Sequence, residues 1–299
     1  MDRLFYFHYF HRMSGNLFLS FNGNIVPSSQ PVLRADNRGY RFADGLFETM
    51  KWQKGKIHFF DLHWDRLHSG LQLLGFPIPG SFNPTNLIDQ INVLAGRNIL
   101  GDTARIRLSV SRGNGMLYPI PNQPDELIYI IECFPAPRDV NFLNEDGIII
   151  GIYEPARKAA DAFSHLKSSN FLPYRMAAIH AQKMNWDNAI VLNSNNRVAD
   201  ATGTNVFIIT GNTLITPPLS EGPVAGVMRR YFLDELPLAL PNIEIVEKPV
   251  TIEMLKEASE ICLTNSITGI RWVKQLDDKL YGNTLARDIY NKLLKTLWQ

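Results

Sequence analysis

The segment LKSSN at residues 166–170 places Lys167 between an apolar residue and a short polar turn. Partial burial lowers the pKa of a lysine, and the neutral amine that results can attack a carbonyl carbon. Lysines of the ordinary protein surface also occur in such settings. Lys167 is therefore a candidate nucleophile whose role depends on the residues that surround it.

Three other segments could bind an anion such as phosphate. In GPVAGVMRR (222–230), a Gly-Pro turn precedes a predicted helix, and the first N–H groups of a helix attract anions. In ICLTNSITG (261–269), a buried strand ends in small hydroxyl and amide side chains that suit phosphate oxygens. In HWDRLH, Arg66 carries a guanidinium that could bind an anion in a bidentate manner. Each segment alone also suits an ordinary helix start, turn or surface arginine.

Other kinds of catalytic site find little support in the sequence. His63 and His68 lie on one predicted helix, but a spacing of five does not put them on one face. The motifs CxxC, HExxH and GxSxG do not occur. The segment RGNG at 112–115 has only part of a dinucleotide-binding glycine pattern and is more simply a loop. We therefore expect no metal site.

The sequence predicts two groups of strands that would position the candidate residues. Residues 17–58 predict strands with a hairpin turn at Lys54-Gly55, and residues 60–74 and 84–98 predict helices. The run LIYIIECF predicts a strand buried on both faces. Further on, strand runs outnumber the helices predicted near 172–186, in GVMRRYFLDEL and at the C-terminus. The predicted organisation is an N-terminal extension, an α+β domain, a proline-containing linker and a strand-rich domain, at 1–13, 14–134, 135–147 and 148–299.

The composition is typical of a globular protein that acts on a small molecule. Hydrophobic residues make up 45% of the 299 residues, and the net charge is +1, so no strong field favours nucleic acid or a membrane. Cys133 and Cys262 lie in apolar runs and indicate buried thiols in the cytoplasm. The N-terminal segment has histidines among its aromatic residues and is not typical of a signal peptide.

Six motifs, taken in order, are similar to those of one family. FADGLFETM, HWDRLH, LKSSN, VADATGTNVF, PPLSEGPVAGVMR and LTNSITGI together resemble the class IV aminotransferases, the fold-type IV pyridoxal-phosphate enzymes. That group includes branched-chain and D-amino acid aminotransferases and aminodeoxychorismate lyase. The resemblance covers about residues 17–275. It implies an α/β (α+β) protein of two domains, with pyridoxal 5'-phosphate between them and at a homodimer interface.

The resemblance also implies how the cofactor would be held. Lys167 would bind its aldehyde as a Schiff base and would then move the substrate's proton as general base and acid. Arg66, the hydroxyl of Ser266 and the backbone N–H groups of Val227 and Met228 would bind the phosphate.

The loop at 200–205 would hold the pyridine ring together with Val224, which would pack on it. Thr204 and Asn205 lie in this loop, and Asp200 stands where the family usually has glutamate. A carboxylate near the ring nitrogen keeps that nitrogen protonated. Because aspartate is one methylene shorter, either the backbone shifts inward, a water bridges the gap, or the ring is a weaker electron sink. Asp200 could also be an ordinary loop acid.

Local features favour one reaction of the family without deciding it. Phe47-Glu48-Thr49 and Asn265-Ser266 resemble the lyases. Thr49 would supply a hydroxyl for proton transfer, although a β-branched residue also suits a strand. Phe47, Arg112 and Thr268 are the candidate substrate contacts, and the loop after Arg112 lacks the histidine usual in D-amino acid enzymes.

The expected activity is therefore that of 4-amino-4-deoxychorismate lyase, which releases pyruvate and 4-aminobenzoate. The first alternative is an amino acid transaminase that acts on branched-chain or D-amino acids with 2-oxoglutarate. The second alternative is a protein that binds the cofactor without turnover.

Overall fold

The computed structural model describes residues 17–118 and 125–298, and the chain divides into two units between Ala136 and Pro137. This division falls inside the segment 135–147 that was predicted as a linker. Most of that segment belongs to the second unit, where Arg138–Asn141 form a 3-10 turn. The predicted extension at residues 1–13 lies outside the described residues.

The first unit is built on an antiparallel sheet of six strands in the order β2-β1-β6-β5-β3-β4. Two of its hairpin turns have positive φ at both central residues, Asn22-Gly23 and Lys54-Gly55, as tight two-residue turns require. The predicted turn at Lys54-Gly55 is thus confirmed. The strands are β1 Phe18–Phe21, β2 Asn24–Pro27, β3 Gly45–Gln53, β4 Lys56–Ile57, β5 Thr103–Ser111 and β6 Ile128–Pro135.

Three helices accompany this sheet: α1 Arg38–Phe42, α2 Phe60–Leu73 and α3 Pro84–Asn98. The last two agree with the predicted helices within a residue. The buried face of α2 carries His63, Leu67 and Leu71. A histidine thus lies among the leucines of the buried face and faces the sheet, where it contacts Glu48.

Strand β6 corrects one expectation. The run LIYIIECF was predicted to be buried on both faces, but β6 alternates, with Tyr129, Ile131 and Cys133 buried and the residues between them half-buried. A strand inside an antiparallel sheet can keep one face against the helices and leave the other partly open.

The second unit contains nine strands in the order β12-β11-β10-β13-β14-β7-β8-β9, with β15 paired to β14. Strand β7 lies parallel to both β8 and β14, and β11 lies parallel to β12, so this sheet is mixed. The strands are β7 Ile148–Lys158, β8 Asn188–Asn193, β9 Val198–Ala201, β10 Asn205–Thr210, β11 Thr213–Thr216, β12 Glu244–Glu247, β13 Glu260–Asn265, β14 Gly269–Leu276 and β15 Lys279–Leu280.

Helix α4 (Leu172–Lys183) packs on β7 and β8, where Tyr174, Ala177 and Ala181 lie in one buried cluster with Tyr153 and Val191. The small alanines let the helix approach the strands closely. This packing brings the start of α4 near the ends of β7 and β9. The other helices are α5 Val227–Ala239, α6 Ile252–Glu257, α7 Thr284–Ile289, a π-helical turn Tyr290–Leu294 and α8 Lys295–Trp298.

Each unit thus combines a sheet with helices, which confirms the expected α/β (α+β) class of two-domain fold. As expected, the second unit has more strands than helices. Across the part of the chain that the structure describes, no helix is both long and apolar enough to cross a membrane.

Candidate active site

A cavity of about 220 Å³ in the second unit contains the candidate nucleophile. Lys167 lines it, half-buried, after a turn at 161–166. The turn is fixed locally, because the Ser164 hydroxyl donates to the Asp161 carboxylate at 2.7 Å and Asp161 N donates to Ser164 Oγ at 2.9 Å. Val224, which was expected to pack on a cofactor ring, lines the same cavity. The structure therefore brings these two predicted residues together.

Asp200 lies in β9 and is 2% exposed. Its Oδ2 accepts hydrogen bonds from the Tyr174 hydroxyl at 2.6 Å and from Val224 N at 2.8 Å, and its Oδ1 accepts from Asn205 Nδ2 at 2.9 Å. Burial raises the pKa of Asp200, while a nearby lysine and these three donors favour its charged form. The aspartate is thus a buried, hydrogen-bonded carboxyl and not an ordinary loop acid.

Asn205 joins Asp200 to the start of helix α5. Its Nδ2 also donates to the carbonyl oxygen of Val224 at 2.9 Å. A Cβ at Gly226, the residue before the helix, would lie 1.7 Å from Asn205 Oδ1, so only glycine fits there. Likewise, Gly222 has φ +87°, and a Cβ would lie 2.5 Å from the carbonyl oxygen of Ala159. These two glycines let the loop before α5 pack closely against the site.

The start of α5 keeps N–H groups available. Val227 and Met228 are its first residues and are 4% and 1% exposed. Their N–H groups donate to no residue in the described ranges, as expected for the first turn of a helix. This is a suitable anion site, although neither residue lines the cavity that contains Lys167.

The turn after β13 is organised by Asn265. Its Oδ1 accepts from Ile267 N at 2.9 Å, from Thr268 N at 2.8 Å and from the Thr268 hydroxyl at 3.1 Å. The Thr268 hydroxyl is therefore engaged within the turn. Ser266 is half-buried in the same turn, and neither residue lines the cavity. The turn follows Thr264, which pairs with Asn205 across β10 and β13, so it lies next to the Asn205 end of the site.

In the same neighbourhood, two threonine hydroxyls are buried and find no hydrogen-bond partner within the described residues. They belong to Thr204 and Thr264. A buried hydroxyl without a partner is costly, which is typical of a position that a ligand or water satisfies.

In the first unit, Arg66 forms a bidentate ion pair with Glu48. Nε of Arg66 lies 2.7 Å from Oε1 of Glu48, and Nη2 contacts Oε2. His63 Nδ1 donates to the same Oε2 at 2.6 Å. Burial alone would raise the pKa of Glu48, but Arg66 and His63 oppose it and the net effect lowers this pKa to about 2. Arg66 is thus held in a fixed orientation by a buried carboxylate.

Phe47 and Thr49 lie within β3, and their side chains are on the face opposite to that of Glu48. Phe47 is 5% exposed, and the Arg107 guanidinium lies over its ring at 4.1 Å. Thr49 is half-buried and pairs with Arg107 across β3 and β5. The two residues therefore share one face of the first sheet.

Arg112, a candidate substrate contact, lies among loops of the first unit. Its guanidinium donates to Asp44 at 2.9 Å, to the carbonyl oxygens of Leu74 and Gly75 at 2.6 and 3.0 Å, and to Asp125 at 3.3 Å. All three nitrogens are thus used to tie loops of the first unit together. Its role as a substrate contact stays a prediction.

The family is decided by comparison with known sequences. A profile described as amino-transferase class IV matches residues 45–276. The chain belongs to this family. The range includes every predicted site residue in both units, from Phe47 to Thr268.

Relatives within the class IV amino-transferases are named for different activities. A protein of Methanocaldococcus jannaschii, provisionally named branched-chain-amino-acid aminotransferase, is 29% identical over 93% of this chain and 96% of its own length. The aminodeoxychorismate lyase of Vibrio harveyi is 26% identical over 78% and 83% of the two chains. A D-alanine aminotransferase of Listeria monocytogenes is 26% identical over 86% of each. Lyase and transaminase relatives thus both occur.

Solved structures agree on the fold. The branched-chain amino acid aminotransferase of Escherichia coli has a TM-score of 0.81 at 21% identity, over 93% of this chain and 94% of that one. A hypothetical aminotransferase from Mycobacterium tuberculosis, in a PLP-bound form, has a TM-score of 0.78 at 20% identity, over 93% and 98%. At such identities the likeness establishes the shared fold.

The residues of the second unit fit pyridoxal phosphate. A lysine amine lines the cavity, a buried carboxylate lies behind Val224, and the first N–H groups of α5 have no partner in the described chain. These groups suit an aldehyde, a ring nitrogen and a phosphate respectively. By contrast, the structure, over its described ranges, contains no group of three or more potential metal-binding side chains.

Sequence reasoning missed two residues of this site, Lys158 and Tyr174. Lys158 ends β7, its side chain is 11% exposed, and its Nζ lies 3.6 Å from Oδ2 of Asp200. Tyr174 donates to the same oxygen from α4. The sequence signal was weak, because Lys158 ends the polar run EPARK and Tyr174 follows a proline. Both patterns are also typical of exposed segments.

Proposed function

We propose that this protein is a pyridoxal-phosphate-dependent enzyme in which Lys167 carries the cofactor. The strongest support is that Val224 lies next to both an amine and a buried carboxylate. Lys167 and Val224 line one cavity, and Val224 N donates to Asp200. When bound, pyridoxal phosphate accepts electrons from the reacting carbon of the substrate.

The chain's own residues would divide the work as follows. Lys167 takes and returns the proton at the substrate's reacting carbon. Asp200, fixed by its three donors, keeps a proton on the ring nitrogen. Val224 packs on the ring, Thr204 and Asn205 complete the loop around it, and Phe47 and Thr268 contact the substrate.

The phosphate would bind to the N–H groups of Val227 and Met228, to the Ser266 hydroxyl and to Arg66. What supports a role for Arg66 is its ion pair with Glu48, which orients the guanidinium before any ligand arrives. Preorganised donors bind an anion more strongly because less side-chain entropy is lost.

Reduction with borohydride tests the assignment of Lys167. The purified protein should be yellow, and borohydride should fix the cofactor on the peptide that contains Lys167, as read by mass spectrometry. Lys167→Ala should lose the colour, whereas the matched variant Lys183→Ala, on the exposed end of α4, should keep it. A colourless protein that takes up no added pyridoxal phosphate would contradict the proposal.

For the reaction itself, we propose the 4-amino-4-deoxychorismate lyase activity. It is supported by Thr49, which shares a sheet face with Phe47 and offers a hydroxyl for proton transfer. The engagement of Arg112 in the first unit also removes a carboxylate-binding group that a D-amino acid transaminase would use. A branched-chain transaminase is the second candidate, favoured by the 29% identical relative.

A product assay separates the two reactions. Aminodeoxychorismate should give pyruvate and 4-aminobenzoate in equal amounts, and Thr49→Val should slow this about tenfold or more while it still binds cofactor. If no pyruvate forms while a branched-chain amino acid and 2-oxoglutarate react briskly, the transaminase is the correct assignment. Thr103→Val, at the other end of the paired strand β5, is the matched control.

Two properties of the whole protein are also proposals. We propose a homodimer, which the family resemblance supports and which sedimentation would test. We propose the cytoplasm as its location, supported by the buried thiols of Cys133 and Cys262. Fractionation of cells that express the tagged protein would test the latter.

A further inference from the structure

A second lysine lines the cavity that contains Lys167. This residue, Lys158, reaches the cavity from the end of β7, where the register between β7 and β8 shifts after Tyr153. Its Nζ is buried and lies 3.6 Å from Oδ2 of Asp200. The ammonium also lies 5.1 Å from the centre of the Tyr174 ring. Lys158 is thus fixed against the carboxyl that the proposed function assigns to the ring nitrogen.

We propose that Lys158 is a positioning residue that serves as the counter-ion of Asp200, so that an ion pair and not a lone carboxylate faces the cofactor's ring nitrogen. The proposal rests on the proposed function, because it requires that Asp200 serve the ring nitrogen.

The surroundings of Lys158 support this assignment. Asp200 on β9 is its ion-pair partner, and Asp161 adds a weaker attraction from the turn after β7. Tyr174 on α4 presents its ring, and Lys167 lines the same cavity. Among the described residues, Lys158 is thus the cation in ion-pair distance of a carboxyl that is otherwise held by neutral donors.

Burial acts on both members of the pair. It raises the pKa of Asp200 and lowers the pKa of Lys158, and each charge opposes the shift of the other. Without Lys158, no cation would oppose the effect of burial on Asp200. The pKa of its carboxyl would therefore rise further.

The consequence for the cofactor concerns the proton on its ring nitrogen. A carboxylate alone attracts that proton strongly, whereas a carboxylate that is already paired with an ammonium attracts it less. Lys158 would therefore lower the proton affinity of the ring and moderate its capacity to accept electrons.

The deciding experiment measures the ring nitrogen directly. The holoenzyme is reconstituted with pyridoxal phosphate labelled with ¹⁵N in the ring, and the nitrogen chemical shift is followed against pH. In Lys158→Met the midpoint for loss of the ring proton should rise by about one pH unit, because removing one positive charge a few ångström away changes proton affinity about tenfold. Lys158→Arg should keep the native midpoint, and Lys183→Met is the surface control.

A second measurement needs no cofactor. In the unliganded protein labelled with ¹³C at aspartate carboxyls, the signal absent from Asp200→Asn is that of Asp200. Its titration midpoint should rise by about one pH unit in Lys158→Met and stay unchanged in Lys158→Arg. Lys158→Gln, which is more polar, replaces Lys158→Met if the latter does not fold.

The outcomes separate the two proposals. If native protein takes up no labelled cofactor, the proposed function fails and the role of Lys158 falls with it. If the cofactor binds but neither midpoint moves in Lys158→Met, the role of Lys158 is overturned while the proposed function stands.

Discussion

The hydroxyl of Tyr174 donates a 2.6 Å hydrogen bond to Oδ2 of Asp200, and both residues are buried. Burial and the adjacent carboxylate raise the pKa of Tyr174 well above its ordinary value, so the hydroxyl keeps its proton and remains a donor. The first turn of helix α4 is thereby attached to the buried carboxyl of Asp200. Position and charge of Asp200 therefore depend on a residue 26 positions earlier in the chain.

Tyr174→Phe should destabilise the second unit by about 1.5–3 kcal/mol, the range for losing a hydrogen bond to a charged group. Urea unfolding of the unliganded protein measures this. Tyr153→Phe is the matched control in the same buried cluster, because the Tyr153 hydroxyl makes no hydrogen bond to a described residue. Equal losses of unfolding free energy in the two variants would show that the hydrogen bond to Asp200 adds no stability of its own.

Asp200→Asn should bind the cofactor and lose at least about a hundredfold in kcat. The amide carries no charge, and its NH2 group would face another donor in either orientation: Asn205 Nδ2 on one side, or Val224 N and the Tyr174 hydroxyl on the other. Steady-state kinetics and absorbance titration measure the two effects separately. Near-normal turnover would mean that another group holds the ring nitrogen. The exposed Asp278→Asn serves as control.

Gly226→Ala should weaken cofactor binding about tenfold or more. Its Cβ would overlap Asn205 Oδ1 at 1.7 Å, so either the start of α5 or the amide beside Asp200 must move. Gly96→Ala, inside α3 with no atom within 4 Å of the new Cβ, should bind normally and gain about 0.5–1 kcal/mol of stability. Unchanged affinity in Gly226→Ala would show that the helix start does not contribute to the cofactor site.

Arg112→Ala should destabilise the first unit by about 1–3 kcal/mol, because two carboxylates and two carbonyl oxygens lose their donor. The KM for the amino substrate should change less than about twofold. Arg66→Gln provides the contrast, since it should weaken cofactor affinity. A large rise in KM with unchanged stability in Arg112→Ala would restore the carboxylate-binding role that the sequence suggested.

Glu48 should make stability depend on acid pH. Its pKa falls from an ordinary value of 4.5 to about 2 in the folded state, so its contribution is complete above pH 4.5 and is lost as pH falls toward 2. The loss should be roughly 2–3 kcal/mol. Urea unfolding across this range measures it, and Glu48→Gln should flatten the profile. Asp89→Asn, exposed on α3, should keep the native slope. An identical slope in Glu48→Gln would contradict the assignment.

The sequence by itself determined the local structure and the family. Hydrophobic periodicity predicted α2 and α3 within a residue, because it depends on neighbours a few positions apart. The turn at Lys54-Gly55 was also predicted correctly, because glycine readily adopts the positive φ that a tight two-residue turn requires. Lys167, Asp200 and Asn205 were predicted through ordered motifs, and the family that these motifs indicated is confirmed by the match over residues 45–276.

Only the tertiary structure decided which side chains share a site. Strand register brings Tyr153 and Asp200 to the same residue, Val191, from either side of β8, and Lys158 follows at the end of β7. The packing of α4 adds Tyr174. The contacts of Arg112 could not be predicted for the same reason, since the groups that it binds come from distant segments. Such contacts depend on sheet register and helix packing, which no local pattern of residues specifies.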